Sequence, residues 1–353
     1  MTYWGLKWCA AVVSLLTVGC ARPQSSAEER APGAATEVDQ SRSPGGDDGE
    51  ARRDAPQPRV GANAVPSVSR EADRLVVTSG SLIEEVLIVP SGLLWTRSSE
   101  VWGLFGEDEP RLLSSIVDPY SLVTDGKTVY WLGHEKNQAF DLEEMTLTRL
   151  SPFDRRSEQA ALAFDGALYG CSRSGSLWQY DNGRVRELPF RPHPPWFKIP
   201  GLRAGGRRLF LPAVKRTESN EVEAFILRID PKGKSATVPV ASVPLLARWD
   251  VSRTGDLAYV SDKAGTVMLL PADAKEPVAF IEGQAVETLC WCGPDVCAIS
   301  DGSIHRHRSG EAPIVLARHV GLVSSLSCGH GRLAWLVEGA DRTSTVVVIS
   351  VPT

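Results

Sequence analysis

The stretch Gly126-Lys-Thr-Val-Tyr-Trp131 decides the fold, because versions of it return along the chain at a nearly constant interval. Each version places a glycine three to five residues before a strand-like residue that is usually aromatic. These landmark residues are Trp95, Trp131, Tyr169, Phe210, Tyr259, Ala298 and Trp335. Successive landmarks lie 36 to 49 positions apart, with a mean of 40. Repeats of this length, built from short strands and turns, predict a β-propeller with one four-stranded blade per repeat.

The number of repeats predicts an all-β fold with a single seven-bladed β-propeller, and six or eight blades are the alternatives. The seventh repeat holds only three strand-like segments, whereas Arg74-Leu-Val-Val-Thr-Ser79 is strand-like and belongs to no hairpin of blade one. We therefore expect residues 74–79 to be the outer strand of blade seven, which would close the ring and cover a free strand edge. The propeller domain would then span residues 74–353.

The first residues have the pattern of a secretory signal peptide. Lys7 supplies a positive charge, and Trp8 to Gly19 form an apolar run of twelve residues. This run is shorter than the roughly 20 residues that a membrane-spanning helix needs, and it suits the apolar segment of a signal peptide. Residues 1–19 are therefore expected to be a signal peptide.

The signal ends in Leu16-Thr-Val-Gly-Cys20, which resembles the lipobox of bacterial lipoproteins, although Thr17 stands where leucine is usual. The resemblance implies export, lipidation of Cys20 and anchoring to the bacterial cell envelope. Ala21 follows the cysteine where an aspartate would favour the inner membrane, so the resemblance implies the outer membrane. An ordinary cleaved signal peptide with an incidental cysteine is the alternative.

The next segment is depleted in large apolar side chains. No Phe, Trp, Tyr, Leu, Ile or Met occurs from Ala21 to Arg74, where Pro, Gly, Ala, Ser and mixed charges dominate. Such a segment cannot bury enough apolar surface to offset its ordering entropy. We expect residues 20–73 to be a lipid-anchored disordered linker that spaces the propeller from the membrane. The chain carries a net charge of −5 and no basic stripe, so no nucleic-acid partner is expected.

Four cysteines of the last two repeats are candidates for disulfides, which an exported protein can form. Cys290 and Cys292 share one face of a strand, and Cys297 lies across the hairpin. Cys328 occupies in blade seven the position that Cys292 occupies in blade six. One or two disulfides are expected among them, because Cys-x-Cys lacks the Cys-x2-Cys spacing of zinc sites. We expect no metal and no cofactor.

Two repeats resemble a known class of propeller. Asp125-Gly-Lys-Thr-Val-Tyr-Trp131 and Ser261-Asp-Lys-Ala-Gly-Thr-Val-Met-Leu-Leu-Pro271 are similar to blade motifs of secreted bacterial propellers with Tyr-Trp repeats. They also resemble, loosely, the Tyr-Trp-Thr-Asp propellers of receptor ectodomains, but Leu132-Gly133 replaces Thr-Asp. The resemblance implies the fold and little about function, because propellers host many activities.

No nucleophile elbow, zinc-protease motif or phosphate loop occurs in the sequence. We therefore look for function in the segments that enter the innermost strand of each blade, since these converge at the mouth of the central channel. The aromatic, charged and polar residues selected there as partner-binding candidates are Tyr120, Glu158, Trp196, Lys198, Trp249, Asp250, Gln284 and His319. For Trp196, in the proline-rich segment 190–198, packing back onto blade four as a lid is the alternative.

Two classes of function fit these observations. The first is a non-enzymatic, membrane-tethered scaffold that binds a protein or glycan partner of the cell envelope through the channel-mouth loops. The second is a metal-dependent hydrolase or lactonase resembling the six-bladed calcium enzymes, whose site needs Glu, Asn and Asp residues around one ion. No Asn occurs among the selected entry residues, so the scaffold is favoured and catalysis is not expected. The oligomeric state stays open.

Overall fold

A computed structural model of the chain describes residues 64–352, apart from residues 72, 116–120, 133–136, 151–157, 173–176, 182, 189–195, 199–200, 217–221, 232–237, 244–247, 262–263, 319–321, 340 and 342. Every regular element within these ranges is a β-strand. No helix in this part of the chain is long and apolar enough to cross a membrane.

The described residues form thirty strands, and neighbouring strands within each sheet pair in the antiparallel direction. Those of the first half are β1 (Ser67–Arg70), β2 (Arg74–Ser79), β3 (Ile83–Val89), β4 (Gly92–Arg97), β5 (Glu100–Phe105), β6 (Arg111–Ser115), β7 (Ser121–Thr124), β8 (Thr128–Leu132), β9 (Asn137–Asp141), β10 (Leu147–Arg149), β11 (Glu158–Phe164), β12 (Ala167–Ser172), β13 (Leu177–Asp181) and β14 (Arg184–Glu187). Those of the second half are β15 (Trp196–Lys198), β16 (Arg203–Gly205), β17 (Arg208–Arg216), β18 (Val222–Ile229), β19 (Val238–Val243), β20 (Trp249–Val251), β21 (Leu257–Val260), β22 (Val267–Leu270), β23 (Val278–Ile281), β24 (Val286–Cys292), β25 (Asp295–Ser300), β26 (Ser303–His307), β27 (Ile314–Arg318), β28 (Leu322–Gly329), β29 (Arg332–Glu338) and β30 (Ser344–Ser350).

These strands form seven sheets, one for each repeat. Blades one, two, three, five and six have four strands each: β3–β6, β7–β10, β11–β14, β20–β23 and β24–β27. Blade four contains β15 to β19, and blade seven has the order β28-β29-β30-β2-β1. The seven-bladed β-propeller expected from the repeat is therefore confirmed.

The N-terminal strands complete blade seven. β2 pairs with β30 along its whole length, from Arg74 opposite Ile349 to Ser79 opposite Ser344. β1 pairs with β2 on the outside and so makes a fifth strand. Residues 74–79 are thus the fourth strand of blade seven and not its outer edge. The boundary drawn at residue 73 is also too late, because β1 lies within the segment assigned to the linker.

The seven innermost strands form a closed ring. Each of β3, β7, β11, β16, β20 and β24 contacts the innermost strand of the next blade, and β28 contacts β3. Because consecutive blades repeat one unit, these inner strands run in the same direction and begin at the same end of the ring. Among the described strands, none pairs with the edge of an inner strand that faces the ring axis.

The core lies between the blades. The buried apolar residues of the described chain fall into seven clusters, each joining two neighbouring blades. All seven landmark residues stand in the second strand of a blade and are at most 5% exposed. Trp95 and Trp131 are fully buried. The repeat that predicts the fold is therefore a repeat of core positions.

Both seams of blade seven are held by specific contacts. Cys292 of blade six and Cys328 of blade seven form a disulfide whose Cα atoms lie 5.4 Å apart. At the other seam, the Ile83 amide of blade one donates a 2.9 Å hydrogen bond to Ser344 Oγ of blade seven. Arg332 Nη2 also donates to the Val89 carbonyl at 2.7 Å. The disulfide thus joins two neighbouring blades and does not link the strands of one hairpin.

Blade four differs most from its predicted form. Its innermost position is shared by β15 and β16, and both pair with the long strand β17. Trp196 and Lys198, which we expected in an entry loop, lie in β15 opposite Lys215 and Ala213 of β17. The longest spacing between landmarks, 49 residues from Phe210 to Tyr259, begins in this blade.

Candidate binding site at the channel mouth

An arginine of blade four and two residues of blade five form a polar and aromatic cluster at the inner strands. Arg203 begins β16, and Trp249 and Asp250 begin β20. The Arg203 Nε donates to Asp250 Oδ1 at 3.2 Å, and its guanidinium carbon lies 5.7 Å from the centroid of the Trp249 ring. The Arg203 side chain is 51% exposed, whereas that of Asp250 is 19% exposed. The cluster therefore presents a positioned guanidinium to solvent beside an aromatic face.

Asp250 also joins blade five to blade six. Its second carboxylate oxygen, Oδ2, accepts the Trp291 amide at 2.8 Å, and its carbonyl accepts Trp291 Nε1 at 3.2 Å. Trp291 lies in β24, the innermost strand of blade six. An inner strand leaves amides unpaired on the edge that faces the axis, and a buried unpaired amide is costly. Here the Asp250 carboxylate of blade five accepts the hydrogen bond of the Trp291 amide in blade six.

Glu85 also accepts the inner-strand amide of a neighbouring blade, at the junction of blades one and two. It lies in β3 of blade one, and its Oε2 accepts the Leu122 amide of β7 in blade two at 3.0 Å. Its side chain is half-buried, and burial, the largest effect, raises the pKa of the Glu85 carboxyl from 4.5 to about 7. The Leu122 hydrogen bond and the positive charge of Arg203 oppose this rise.

Charged groups of blades four and five act on titratable groups of blades one and six. Arg203 of blade four influences the Glu85 carboxyl of blade one. Asp250 of blade five and Arg203 both influence the Cys290 thiol of blade six, although burial has the largest effect and raises its pKa well above the ordinary value. We call Glu85, Arg203, Trp249, Asp250 and Trp291 the channel cluster. Its charges, one cation and up to two carboxylates, suit the binding of a ligand that makes charged hydrogen bonds.

The partner-binding candidates from the sequence fall into three groups. Trp249 and Asp250 belong to the channel cluster. Gln284 lies just before β24, and its Oε1 accepts the Ser300 hydroxyl of the same blade at 3.1 Å. For a third group the structure gives at most the place in a strand: Glu158 lies in β11, and Trp196 and Lys198 lie in β15. Tyr120 and His319 lie outside the described residues, as does the lipidation candidate Cys20.

Arg203 and Glu85 are the residues that the sequence reasoning missed. Arg203 pairs with the landmark Phe210, the position that Trp249 holds opposite Tyr259 in blade five. Locating the strand residue opposite each landmark identifies it, whereas the sequence offered the aromatic pair Trp196-Phe197 as the entry segment of blade four. Glu85 lies at the entry of blade one, a blade for which no entry segment was selected.

The cysteines of blades three and six other than Cys292 are buried and form no disulfide in the described part of the chain. Cys290 and Cys297 are direct cross-strand partners in β24 and β25. Burial is the largest cause of their altered acidity, and it raises the pKa of the Cys297 thiol to about 12. Thiols held in the protonated form are weak nucleophiles, so neither residue is a candidate for covalent catalysis.

One histidine pair lies outside the channel cluster. His305 and His307 share a face of β26, and their ring centroids lie 6.0 Å apart. Burial, with a smaller effect of His305, lowers the pKa of His307 from 6.5 to about 4, and its buried Nε2 has no hydrogen-bond partner. Among the residues that the structure describes, no group of three or more His, Cys, Asp or Glu side chains is arranged to hold a metal ion.

Among known proteins, the chain is similar only in fold to the ones compared with it. No protein-family model matches it, and no curated protein matches it. Among solved structures it is similar to YCF48 bound to D1 peptide, with a TM-score of 0.57 and 11% identity over 82% of this chain and 100% of that chain. It is also similar to the β-propeller domain of Cps50 (Swd1) from Myceliophteria thermophila, with a TM-score of 0.53 and 12% identity over 81% and 99% of the two chains. BamB from Moraxella catarrhalis matches with a TM-score of 0.49 and 14% identity over 80% and 99%. At these identities the similarity shows the β-propeller fold alone.

Proposed function

We propose that this protein is a non-enzymatic scaffold that binds a protein partner at the mouth of its propeller channel. The observation that carries the proposal is the pairing of the half-exposed Arg203 with Trp249 and Asp250 on two adjacent inner strands. Arginine and tryptophan are enriched among the residues that dominate binding at protein interfaces. One structure of similar fold, that of YCF48, is bound to a D1 peptide, which is consistent with this use of the fold.

We further propose that the scaffold is tethered to the outer membrane of a bacterial cell envelope through a lipid on Cys20. The support is the lipobox-like Leu16-Thr-Val-Gly-Cys20 and the composition of the segment that follows it. Replacing Cys20 by Ala should move the protein from the membrane fraction to the soluble fraction. Continued association of the Cys20→Ala variant with membranes would refute the tether and leave the binding proposal intact.

Crosslinking in native cells followed by affinity purification tests the binding proposal. The full chain should retain a specific partner, and the double variant Trp196→Ala/Trp249→Ala should lose it while keeping its melting temperature. Leu147→Ala is the matched control, because Leu147 is an exposed apolar side chain on the outer strand β10 of blade two. Equal partner recovery by the double variant and the control would remove the channel mouth as the binding face.

The metal-dependent hydrolase that the sequence also allows needs several carboxylates around one ion. Glu85 and Asp250, the two carboxylates of the channel cluster, each accept the amide of a neighbouring blade. These oxygens already have partners within the fold. No observation in the described residues favours the hydrolase over the scaffold.

A further inference from the structure

Arg203 keeps part of its hydrogen-bonding capacity for a ligand. A guanidinium has five N–H donors. Its Nε donates to Asp250, and one Nη1 hydrogen is directed to the Leu202 carbonyl at 3.1 Å. No protein partner of Nη2 occurs in the described part of the chain. Both hydrogens of Nη2 and one of Nη1 thus have no partner among the described residues. The Nη1/Nη2 pair is the end of the fork that binds a carboxylate with two parallel hydrogen bonds.

The surroundings hold this fork in place before any ligand arrives. Asp250 is itself fixed, because its Oδ2 accepts the Trp291 amide and its Oδ1 accepts Arg203 Nε. The Trp249 ring lies beside the guanidinium. Gly201 lies next to this ring, since a Cβ built at Gly201 would be in van der Waals contact with Trp249 Cζ2 at 3.5 Å. Less side-chain entropy is lost on binding when the donor is already positioned.

We infer that Arg203 receives a single carboxylate of the partner, either a chain end or an Asp or Glu side chain, with the Trp249 ring packed beside it. The inference rests on the proposed binding function and names the chemistry of the ligand. A carboxylate carries one negative charge, and it would share the site with Asp250 and Glu85. One arginine opposes these acidic groups, so a ligand of higher negative charge would be repelled.

Synthetic peptide arrays test the inference on the full-length chain. Two arrays of the same short random sequences are compared, one with free C-terminal carboxylates and one with C-terminal amides. The best binders are then measured by fluorescence polarisation, with each Asp and Glu replaced in turn by Asn and Gln. Loss on amidation identifies a chain end, and loss on an Asp→Asn or Glu→Gln change identifies a side chain.

The expected result is one carboxylate whose neutralisation weakens binding by about tenfold or more, as for loss of a charge-assisted hydrogen bond. Arg203→Gln should weaken binding by a similar factor and should abolish the effect of neutralising that carboxylate. Arg203→Lys keeps the charge but lacks the fork and should bind several-fold more weakly than the wild type. Arg149→Gln, an exposed arginine on the outer strand β10, should bind as the wild type does.

Two further outcomes separate this inference from the proposed function. If binding depends on Trp249 but no neutralisation changes it more than twofold, the carboxylate inference is wrong and the scaffold proposal stands. If neither array contains a binder that Trp249→Ala weakens, both proposals fail. Melting temperatures of the Arg203 variants within a few degrees of the wild type show that a loss of binding is not a loss of fold.

Discussion

Replacing Glu85 by Gln should change how the stability of the protein depends on pH. In the folded state the pKa of Glu85 is raised from 4.5 to about 7, chiefly by burial. Between these two values the unfolded chain loses the proton while the folded protein keeps it. The stabilisation that protonated Glu85 contributes to the folded state is therefore fully present below about pH 4.5. It is lost as the pH rises through about 7. At about 1.36 kcal/mol for each unit of pKa difference, the loss amounts to about 3 kcal/mol.

Gln at position 85 can still accept the Leu122 amide through its carbonyl oxygen, but it does not titrate. The free energy of unfolding of Glu85→Gln minus that of the wild type should therefore increase by about 3 kcal/mol between roughly pH 4 and pH 8. Urea unfolding of both proteins across this range, followed by tryptophan fluorescence, measures the difference. Other titrating groups are common to both proteins and cancel.

A difference that stays constant with pH would refute the reasoning, because it would mean that Glu85 ionises alike in the folded and unfolded states. A difference that decreases as the pH rises would mean that the carboxylate, and not the acid, is the favoured form in the ring. In that case the attraction of Arg203 would outweigh burial, and the order of the two effects given above would be wrong.

Three other changes test separate parts of the ring. Burial lowers the pKa of His307 to about 4. The free energy of unfolding should therefore fall by about 3 kcal/mol as the pH decreases from about 6.5 to 4. His307→Gln should remove most of this loss in acid unfolding curves. The double change Cys292→Ser/Cys328→Ser should cost about 4 kcal/mol, from the chain entropy of a 36-residue separation, and a reductant should destabilise only the wild type. Val77→Asp, at a fully buried position of β2, should cost at least about 3 kcal/mol in urea unfolding. Val185→Asp on the exposed strand β14 should cost little, and equal losses for both would mean that β2 does not close the ring.

The fold could be predicted because its signal is a core signal. The landmark residues recur once per blade, and each is buried in the second strand of its sheet. The tryptophan and tyrosine landmarks in particular are costly to expose, so their spacing reports the architecture directly. β1 was missed for the opposite reason. Its four residues, Ser67–Arg70, are mostly exposed, and an outer strand held by backbone hydrogen bonds needs no apolar pattern.

The site could be predicted only in part. Trp249 and Asp250 lie six and five residues before the repeat glycine Gly255, so their place at the inner strand follows from counting along one blade. The electrostatic effect of Arg203 on Glu85 is different, because it depends on how blades one and four are placed around the ring. No local sequence pattern encodes such an effect. In blade four the sequence instead indicated the proline-rich segment that contains Trp196 and Phe197. The backbone of this segment forms β15, which pairs with β17.

The repeat itself helps to separate structural residues from functional ones in the channel. Glu85 and Asp250 have the same structural role at two junctions between blades, because each carboxylate accepts the inner-strand amide of the next blade. A carboxylate at this place is therefore explained by the ring, even without a ligand. Arg203 is not explained in this way, since among the described residues its Nη1 and Nη2 donors bond no backbone group of a neighbouring blade, and half of its side chain is exposed to solvent. Within a ring of similar blades, binding specificity must come from the positions where the blades differ, and Arg203 is such a position. Loss of binding in Arg203→Gln with unchanged stability is thus the result that would assign this residue to function and leave Asp250 and Glu85 to the fold.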